Sequence, residues 1–204
     1  MDDHYLTIDK PSTAEIKIKG SRFIGRTALV NNIEEAGKKL EIIRKKEFAA
    51  THNCYAYLIG TNDKNIAYKY SDDGEPGGTA GRPIYDVIVG GKLTNILLVV
   101  TRYFGGTKLG TGGLVHAYSE SAKLVLEKSG IKENFITDRF KIEIAFSQYD
   151  KLIQTIHKHN TTIITSDFSD HVSVILEVRQ SLSDFLTKEI TELSKGKAKI
   201  EKLP

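Results

Sequence analysis

Two glycine-rich segments hold most of the side chains that could carry chemistry in this chain. Eleven of its seventeen glycines fall between Asp72 and Gly113, within the segments 71–83 and 101–113 or between them. There they are mixed with Asp, Glu, Arg, Lys and Thr. Because glycine loses more conformational entropy on folding than other residues, such a concentration indicates unusual backbone angles or a close approach of the backbone to another group. The accompanying side chains are those that a surface for a polar or anionic ligand contains.

The second segment predicts an anion-binding site. It overlaps the end of an apolar run, residues 95–104, that is typical of a central strand buried on both faces, and a helix is predicted to begin near Thr111. A strand, a glycine loop and a helix in this order bring backbone N–H groups and the positive end of the helix dipole together. The spacing matches neither a P-loop nor a dinucleotide-binding fingerprint. The alternative is a turn that only lets the helix pack closely on the sheet. The candidate anion- or nucleic-acid-binding residues are Arg82, Arg102, Gly105, Gly106, Thr107, Lys108 and Thr111.

Three carboxylates, Asp72, Asp73 and Glu75, lie within four residues of the first segment. Such a group could hold a divalent cation, but its spacing lacks the further acids of a calcium-binding loop. Asp-Gly and Glu-Pro-Gly are also ordinary turn sequences, which favours a loop that is solvated or paired with arginine. Arg82 and Arg102 are the expected counter-ions. We expect neither a metal nor a cofactor.

His52 and Cys54 lie two apart on a predicted strand, so their side chains share a face. A thiol beside an imidazole suggests a nucleophile and its base. However, neighbours on one strand seldom reach the required geometry, and a lone buried cysteine usually acts as a small apolar residue. No catalytic residue is therefore assigned, and His52 joins the three acids in a candidate polar patch. His116, His157 and His159 are predicted to be surface residues.

The charge of the chain is mildly basic, with 29 Lys and Arg against 26 Asp and Glu. Residues 1–132 hold 19 basic and 15 acidic side chains, whereas residues 133–204 hold 10 and 11, so the first part is the better place for an anion. The single cysteine excludes an intrachain disulfide and a multi-cysteine metal site. The amino terminus has no signal-peptide apolar region, and no apolar run approaches the ~20 residues of a membrane helix. These features predict a soluble, cytoplasmic protein.

Hydrophobic periodicity predicts an α+β protein of two domains, 1–132 and 137–204. In the first domain Asn32 is predicted to cap a helix. In the second, a strand at 139–146, a helix capped by Ser147, a hairpin, a last helix and a final strand give the β-α-β-β-α-β order of a ferredoxin-like domain. The boundary is placed at 131–137, where the hydrophobic pattern breaks.

Several of these motifs resemble those of the IMPACT/YigZ family. The matching blocks are 21–24, 50–54, 71–83 and 100–110. They are long and unusual in composition. The tail from about 137 is also similar to the second domain of the bacterial two-domain members, so the resemblance extends over nearly the whole chain.

The resemblance implies a first domain of IMPACT type, a two-layer βαβ domain like those of ribosomal proteins and RNase PH. It implies a second domain like the last domain of elongation factor G. Both implied folds point towards RNA or the ribosome. Eukaryotic relatives restrain an amino-acid-starvation kinase by competing for its activator. They carry an additional amino-terminal domain, and we do not expect that activity here.

The combined expectation is a cytoplasmic protein that binds RNA or a ribosome-associated protein through the glycine-rich polar patch and acts as a regulator. We expect binding rather than catalysis. One alternative is a hydrolase or transferase that uses Asp72, Asp73, Glu75 and His52. Another is a regulator that binds only protein through the same surface. Salt dependence separates RNA binding from protein-only binding, because phosphate contacts weaken steeply as the salt concentration rises.

Overall fold

The computed structural model describes residues 3–61, 65–159 and 161–203, and these form eleven strands and five helices. The strands are β1 His4–Ile8, β2 Thr13–Ile18, β3 Ser21–Leu29, β4 His52–Ile59, β5 Ala67–Ser71, β6 Ile96–Tyr103, β7 Ile131–Phe135, β8 Thr137–Ile144, β9 Thr162–Phe168, β10 Val172–Arg179 and β11 Lys199–Leu203. The helices are α1 Ile33–Lys46, α2 Gly81–Gly90, α3 Gly110–Ser129, α4 Tyr149–Lys158 and α5 Ser183–Leu193. The predicted α+β class is confirmed.

The described chain divides into two compact units. The first domain is Tyr5–Asn134, and the second consists of residues 135–203 together with Asp3 and His4. Among the helices that the structure describes, none is both long and apolar enough to cross a bilayer.

The first domain is built on a five-stranded antiparallel sheet with the order β2-β3-β6-β4-β5. β6 is the middle strand, and seven of its eight residues are buried. Its apolar run therefore lies between neighbours on both edges and side chains on both faces, which confirms the predicted central strand. A further pair, β1 and β7, forms a two-stranded sheet.

Helices cover both faces of this sheet. α2 and α3 pack on one face through a core that includes Ile84, Ile88 and Val125. α1 packs on the other face, where Ala36 and Leu40 contact a cluster that includes strand residues of β4 and β6. The first domain thus adds a third layer to the two that the family resemblance implies. β6 carries apolar side chains to both cores, and its carboxyl end leads into the second glycine segment.

The second domain has the predicted ferredoxin-like fold. Its four strands have the order β11-β8-β10-β9, and all neighbouring pairs are antiparallel. The alternation in β10 places Val172, Val174, Leu176 and Val178 in one core, while the residues between them face away. A side-chain period of two is what a sheet with helices on one face requires.

Several local predictions can be compared with the structure. The Asn32 side chain accepts a hydrogen bond from the backbone N–H of Glu35 at 2.8 Å, so that cap is confirmed. The predicted Ser147 cap is wrong, because α4 begins at Tyr149 after a short 3₁₀ turn and no side chain caps it. His159 is not a simple surface residue. It is partly buried, and its Nε2 lies 2.7 Å from a carboxylate oxygen of Glu189.

Candidate functional site

The structure brings the two glycine-rich segments together at the end of β6. Arg102 is the penultimate residue of that strand, and its Nη1 donates to Oε1 of Glu75 at 2.6 Å. Glu75 was one of the acids for which an arginine counter-ion was expected. The expectation is met by Arg102, across 27 positions of sequence.

Arg102 is a buried partner of Glu75 rather than a free cation at the surface. Only 5% of the residue is exposed. Its Nη2 donates to Oγ of Ser21 at 3.3 Å. Its Nε has no hydrogen-bond partner within the described part of the chain. The guanidinium charge is therefore balanced inside the domain, with one donor unsatisfied.

The Glu75 carboxylate is the centre of a buried polar network. Besides the bond from Arg102, its Oε1 accepts a hydrogen bond from Tyr118 Oη at 2.8 Å. The Cys54 thiol donates to that Tyr118 oxygen at 3.3 Å. His52 Nε2 lies 3.9 Å from the same carboxylate oxygen. Residues from β4, β6 and α3 thus converge on one acid from the first glycine segment.

Burial decides the chemistry of the thiol and the phenol in this network. The pKa of Cys54 is raised to about 12, chiefly by loss of hydration; the Tyr118 hydroxyl opposes the rise, and the nearby Glu75 charge adds to it. The pKa of Tyr118 is also raised, chiefly by burial. Because of this raised pKa, Cys54 stays protonated at neutral pH. The nucleophilic form of a cysteine is the thiolate, so the protonated thiol is a poor nucleophile. His52 and Cys54 do share a face, but the thiol is not activated.

The other two acids of the first segment hold backbone in place. Asp72 accepts hydrogen bonds from three backbone N–H groups, those of Gly78, Ala80 and Gly81, at 2.8–2.9 Å. Two of these groups lie at the amino end of α2, so the carboxylate also stabilises that helix. This arrangement gives the first glycine segment a structural role.

The two carboxylate oxygens of Asp73 also have partners within the domain. One oxygen accepts from the backbone N–H of Asn53 at 2.7 Å, and the other pairs with Arg44 at 2.6 Å. Its backbone carbonyl lies 2.8 Å from His52 Nδ1. In the described part of the chain, no group of three or more His, Cys, Asp or Glu is placed to hold a metal ion.

The second glycine segment forms an exposed loop, residues 104–108, that leads through the partly buried Leu109 into α3. Gly105, Gly106, Thr107 and Lys108 are all exposed. Thr111 is also exposed, and no side chain caps the amino end of α3. The first N–H groups of this helix are thus open to a ligand, together with the positive end of its dipole.

One glycine of this loop is required by packing. A Cβ atom at Gly105 would lie 1.9 Å from the carbonyl carbon of Gly20, at the tip of the β2–β3 hairpin. The backbone N–H of Gly105 also donates to Ser21 Oγ at 3.2 Å. This close approach places the hairpin tip, with the exposed Lys19, directly against the loop.

A pocket of about 390 Å³ opens beside the loop. We call it the Arg102 pocket, and its lining residues are Glu75, Pro76, Arg102, Phe104, Lys108, Leu109, Gly110, Thr111 and Leu114. Four of these are apolar, and the Glu75–Arg102 pair adds a neutralised charge. The pocket therefore joins an apolar cavity to the open amino end of α3.

Of the predicted anion-binding residues, Arg102, Lys108 and Thr111 line this pocket, whereas Gly105, Gly106, Thr107 and Arg82 do not. Arg82 belongs to a different part of the domain. It lies in the first turn of α2, pairs with Asp86 at 2.7 Å and has its guanidinium 6.0 Å from the Tyr85 ring. It lines a separate groove of about 590 Å³ between α2 and α3.

Sequence reasoning missed the aromatic residues near the site. Phe104 is 47% exposed and lines the Arg102 pocket. Phe48 is 86% exposed in the turn after α1. That turn is tied to the end of β6, since the backbone N–H of Thr51 donates to the Arg102 carbonyl at 2.9 Å. Phe48 follows the charged end of α1 outside its apolar stripe, which is a signal that could have identified it, whereas Phe104 could not be separated from the apolar run 95–104.

Comparison with known proteins finds relatives along most of the chain. A family model described as the Impact N-terminal domain matches residues 19–126, and a domain of unknown function (DUF1949) matches residues 142–197. The chain is 34% identical to the IMPACT family member YvyE of Bacillus subtilis, over 97% of this chain and 90% of that protein. It is 32% identical to an IMPACT family member of Haemophilus influenzae, over 98% and 97%. The crystal structure of a hypothetical protein matches with a TM-score of 0.73 at 28% identity, over 100% of this chain and 99% of that one.

Proposed function

This chain belongs to the IMPACT family, and we propose that it acts in the cytoplasm as a regulator of translation that binds single-stranded RNA. The binding surface is the exposed loop 104–108 with the amino end of α3. The observation that carries the proposal is the combination in this loop of open backbone N–H groups, the exposed Lys108 and the exposed ring of Phe104.

Each of these features suits a nucleic-acid strand. Phosphate oxygens accept hydrogen bonds from the free N–H groups at a helix start, where the dipole also favours negative charge. An exposed aromatic ring gives a base a face on which to stack, and such stacking is worth about 1–3 kcal/mol per base. A neutral protein ligand would leave the helix end and the lysine without an anionic partner.

Further cations lie around the loop. Lys17 and Lys19 are exposed on the hairpin whose tip touches Gly105. The guanidinium of Arg22, the second residue of β3, lies 4.5 Å from the centroid of the Tyr103 ring. Some of the basic side chains that give the first part of the chain its positive excess therefore lie next to the proposed surface. There they can contact successive phosphates.

The carboxylates that would serve a hydrolase are engaged elsewhere. Asp72 and Asp73 accept backbone hydrogen bonds or pair with arginine, and Glu75 is paired with Arg102. A general base or metal ligand needs free lone pairs directed at a substrate. The binding proposal requires no such group.

The test is the salt dependence of RNA affinity. We would measure fluorescence anisotropy with a labelled single-stranded RNA of mixed sequence, at KCl concentrations from about 50 to 200 mM, the range over which phosphate contacts change affinity steeply. The native chain is compared with a Lys19→Ala, Lys108→Ala double variant. Because single strands give a slope of about 0.7 per phosphate neutralised, the double variant should bind more weakly and lose about 1.4 from the slope of log K against log salt.

The matched control is a Lys151→Ala, Lys188→Ala variant, which removes the same charge from exposed lysines of the second domain. Its slope should equal that of the native chain. The proposal fails if the native chain binds no RNA at the lowest salt concentration, or if both double variants lose the same slope.

A further inference from the structure

The Arg102 pocket is lined by apolar side chains and by the Glu75–Arg102 pair, which we call its floor; surface contacts with phosphate do not explain this combination. Its volume of about 390 Å³ exceeds what a single side chain needs. Pro76, Phe104, Leu109 and Leu114 supply apolar surface. A phosphate would gain nothing from these residues. A flat ring with polar atoms at its edge would contact both parts.

The floor presents an unsatisfied donor in a neutral setting. Arg102 lines the pocket, and its buried Nε has no hydrogen-bond partner within the described residues. Leaving a buried donor unpaired is unfavourable, and an acceptor supplied by a ligand would remove that cost. Because Glu75 already balances the guanidinium, that acceptor need not be charged. The 3.3 Å bond from Nη2 to Ser21 is long, so this weakly held donor can also be shared with a ligand acceptor.

The rim fixes the direction in which a nucleotide would enter. Lys108, Gly110 and Thr111 lie where the pocket meets the open end of α3. The sugar-phosphate of a nucleotide held there directs the base inward, with its far edge towards Arg102. In pyrimidines that edge carries the group at position 4, and in purines the group at position 6. Uracil and guanine have an oxygen there, whereas cytosine and adenine have an amino donor.

From this geometry we propose that the Arg102 pocket takes a single base of the RNA strand and selects uracil or guanine. The Phe104 ring stacks on the base, and Arg102 donates to its exocyclic oxygen. An amino group in that position would face the donors of Arg102 with no acceptor between them. This inference rests on the proposed RNA binding and adds base identity to it.

The test compares two RNA 8-mers, oligo-U and oligo-C, by fluorescence anisotropy at one salt concentration. The two strands have the same backbone charge. Their bases differ at position 4, which is an oxygen in uracil and an amino group in cytosine, and at N3, which carries a hydrogen only in uracil. A hydrogen bond to a charged group is worth about 1.5–3 kcal/mol, so the native chain should bind oligo-U about tenfold more tightly or better. Phe104→Ala, at an exposed position, should reduce the affinity for oligo-U and shrink the preference below about threefold, since the stacked base is no longer held against the floor.

Lys108→Ala is the matched control, because it should weaken oligo-U and oligo-C equally and leave the preference unchanged. In a second measurement, the ¹H–¹⁵N resonance of Arg102 Nε should shift on addition of oligo-U and stay in place with oligo-C.

The outcomes separate the two proposals. Binding of both strands with equal affinity and no shift of the Arg102 resonance overturns the base pocket but leaves RNA binding intact. Binding of neither strand overturns both. A preference for oligo-C over oligo-U would also refute the assignment of a donor at the floor.

Discussion

Replacing Glu75 with glutamine removes a charge from the centre of the first domain while keeping the shape of the side chain. The Glu75 and Arg102 side chains are only 3% and 6% exposed, so the remaining guanidinium could not be hydrated in the folded state. Breaking a buried ion pair from one side costs about 3–5 kcal/mol. Since the amide oxygen can still accept from Tyr118, we expect a loss of about 3 kcal/mol in the free energy of unfolding for Glu75→Gln.

A second substitution tests whether this loss of stability comes from the unpaired charge of Arg102. Adding Arg102→Met to Glu75→Gln removes the guanidinium and leaves an apolar side chain of similar length. The double variant leaves no charge in the buried site, so the penalty of an uncompensated buried guanidinium is removed. The double variant should therefore be more stable than Glu75→Gln alone, and the coupling between the two positions should be about 2 kcal/mol, within the range for residues in contact.

The assay is urea unfolding followed by tyrosine near-ultraviolet circular dichroism. Eight of the nine tyrosines precede residue 135, so the signal reports mainly on the first domain. Glu15→Gln is the control, because Glu15 lies 3.9 Å from Arg22 and both side chains are 42% exposed. It should change stability by less than about 1 kcal/mol, as exposed pairs do. If Glu75→Gln costs no more than Glu15→Gln, or if the double variant is less stable than Glu75→Gln, the buried-pair reasoning is refuted.

Three further perturbations give measurable outcomes. Burial keeps the Cys54 pKa at about 12, so iodoacetamide should leave the native thiol unmodified at pH 8 and alkylate it only after unfolding, which mass spectrometry can follow. Gly105→Ala places a methyl group 1.9 Å from hairpin backbone and should cost about 2–3 kcal/mol, whereas Gly37→Ala in α1 meets nothing within 4 Å and should add about 0.5–1 kcal/mol; urea midpoints separate the two. The hydrogen bond from Arg179 lowers the pKa of Asp3 below its ordinary value of 3.8, so the stabilisation is present above that pH and is lost as the pH falls towards the folded-state pKa. Asp3→Asn should then destabilise the second domain at pH 7, and the difference in urea midpoint should shrink at pH 3.

Burial explains which parts of the fold were predictable from sequence. The apolar run of β6 and the alternation in β10 report directly on how many faces of each strand are covered. The ferredoxin-like order followed from such patterns. No helix was predicted for residues 81–90, because glycine is unfavourable in helices and several glycines surround the start of α2. Pro83, in the first turn, is nevertheless typical of a helix beginning.

The candidate site was predictable only in part, because the sequence does not show which charges fold inward. The pairing of Arg102 with an acid of the first segment was expected, yet its burial depends on Ser21 and Tyr118, which belong to distant elements. For Asp72 the sequence offers either a cation ligand or part of a solvated or arginine-paired loop, and its role at the start of α2 is neither. The structure shows that role through the bonds that Asp72 accepts from the backbone N–H groups of Ala80 and Gly81.

The glycines themselves separate into those that packing requires and those that it does not. A Cβ atom at Gly105 would collide with the backbone of Gly20, and one at Gly81 with the backbone of Ser71, so neither could be added unless the backbone moved. Gly112 has open space around it and ordinary helical angles, although alanine there would favour the helix by about 1 kcal/mol. Gly37 in α1 shares these properties, so an unneeded glycine does not by itself mark a site. What distinguishes Gly112 is its setting, the uncapped first turn of α3 beside the Arg102 pocket. There the missing side chain leaves the helix N–H groups open to close approach by a phosphate, which links the cost in stability to the proposed binding.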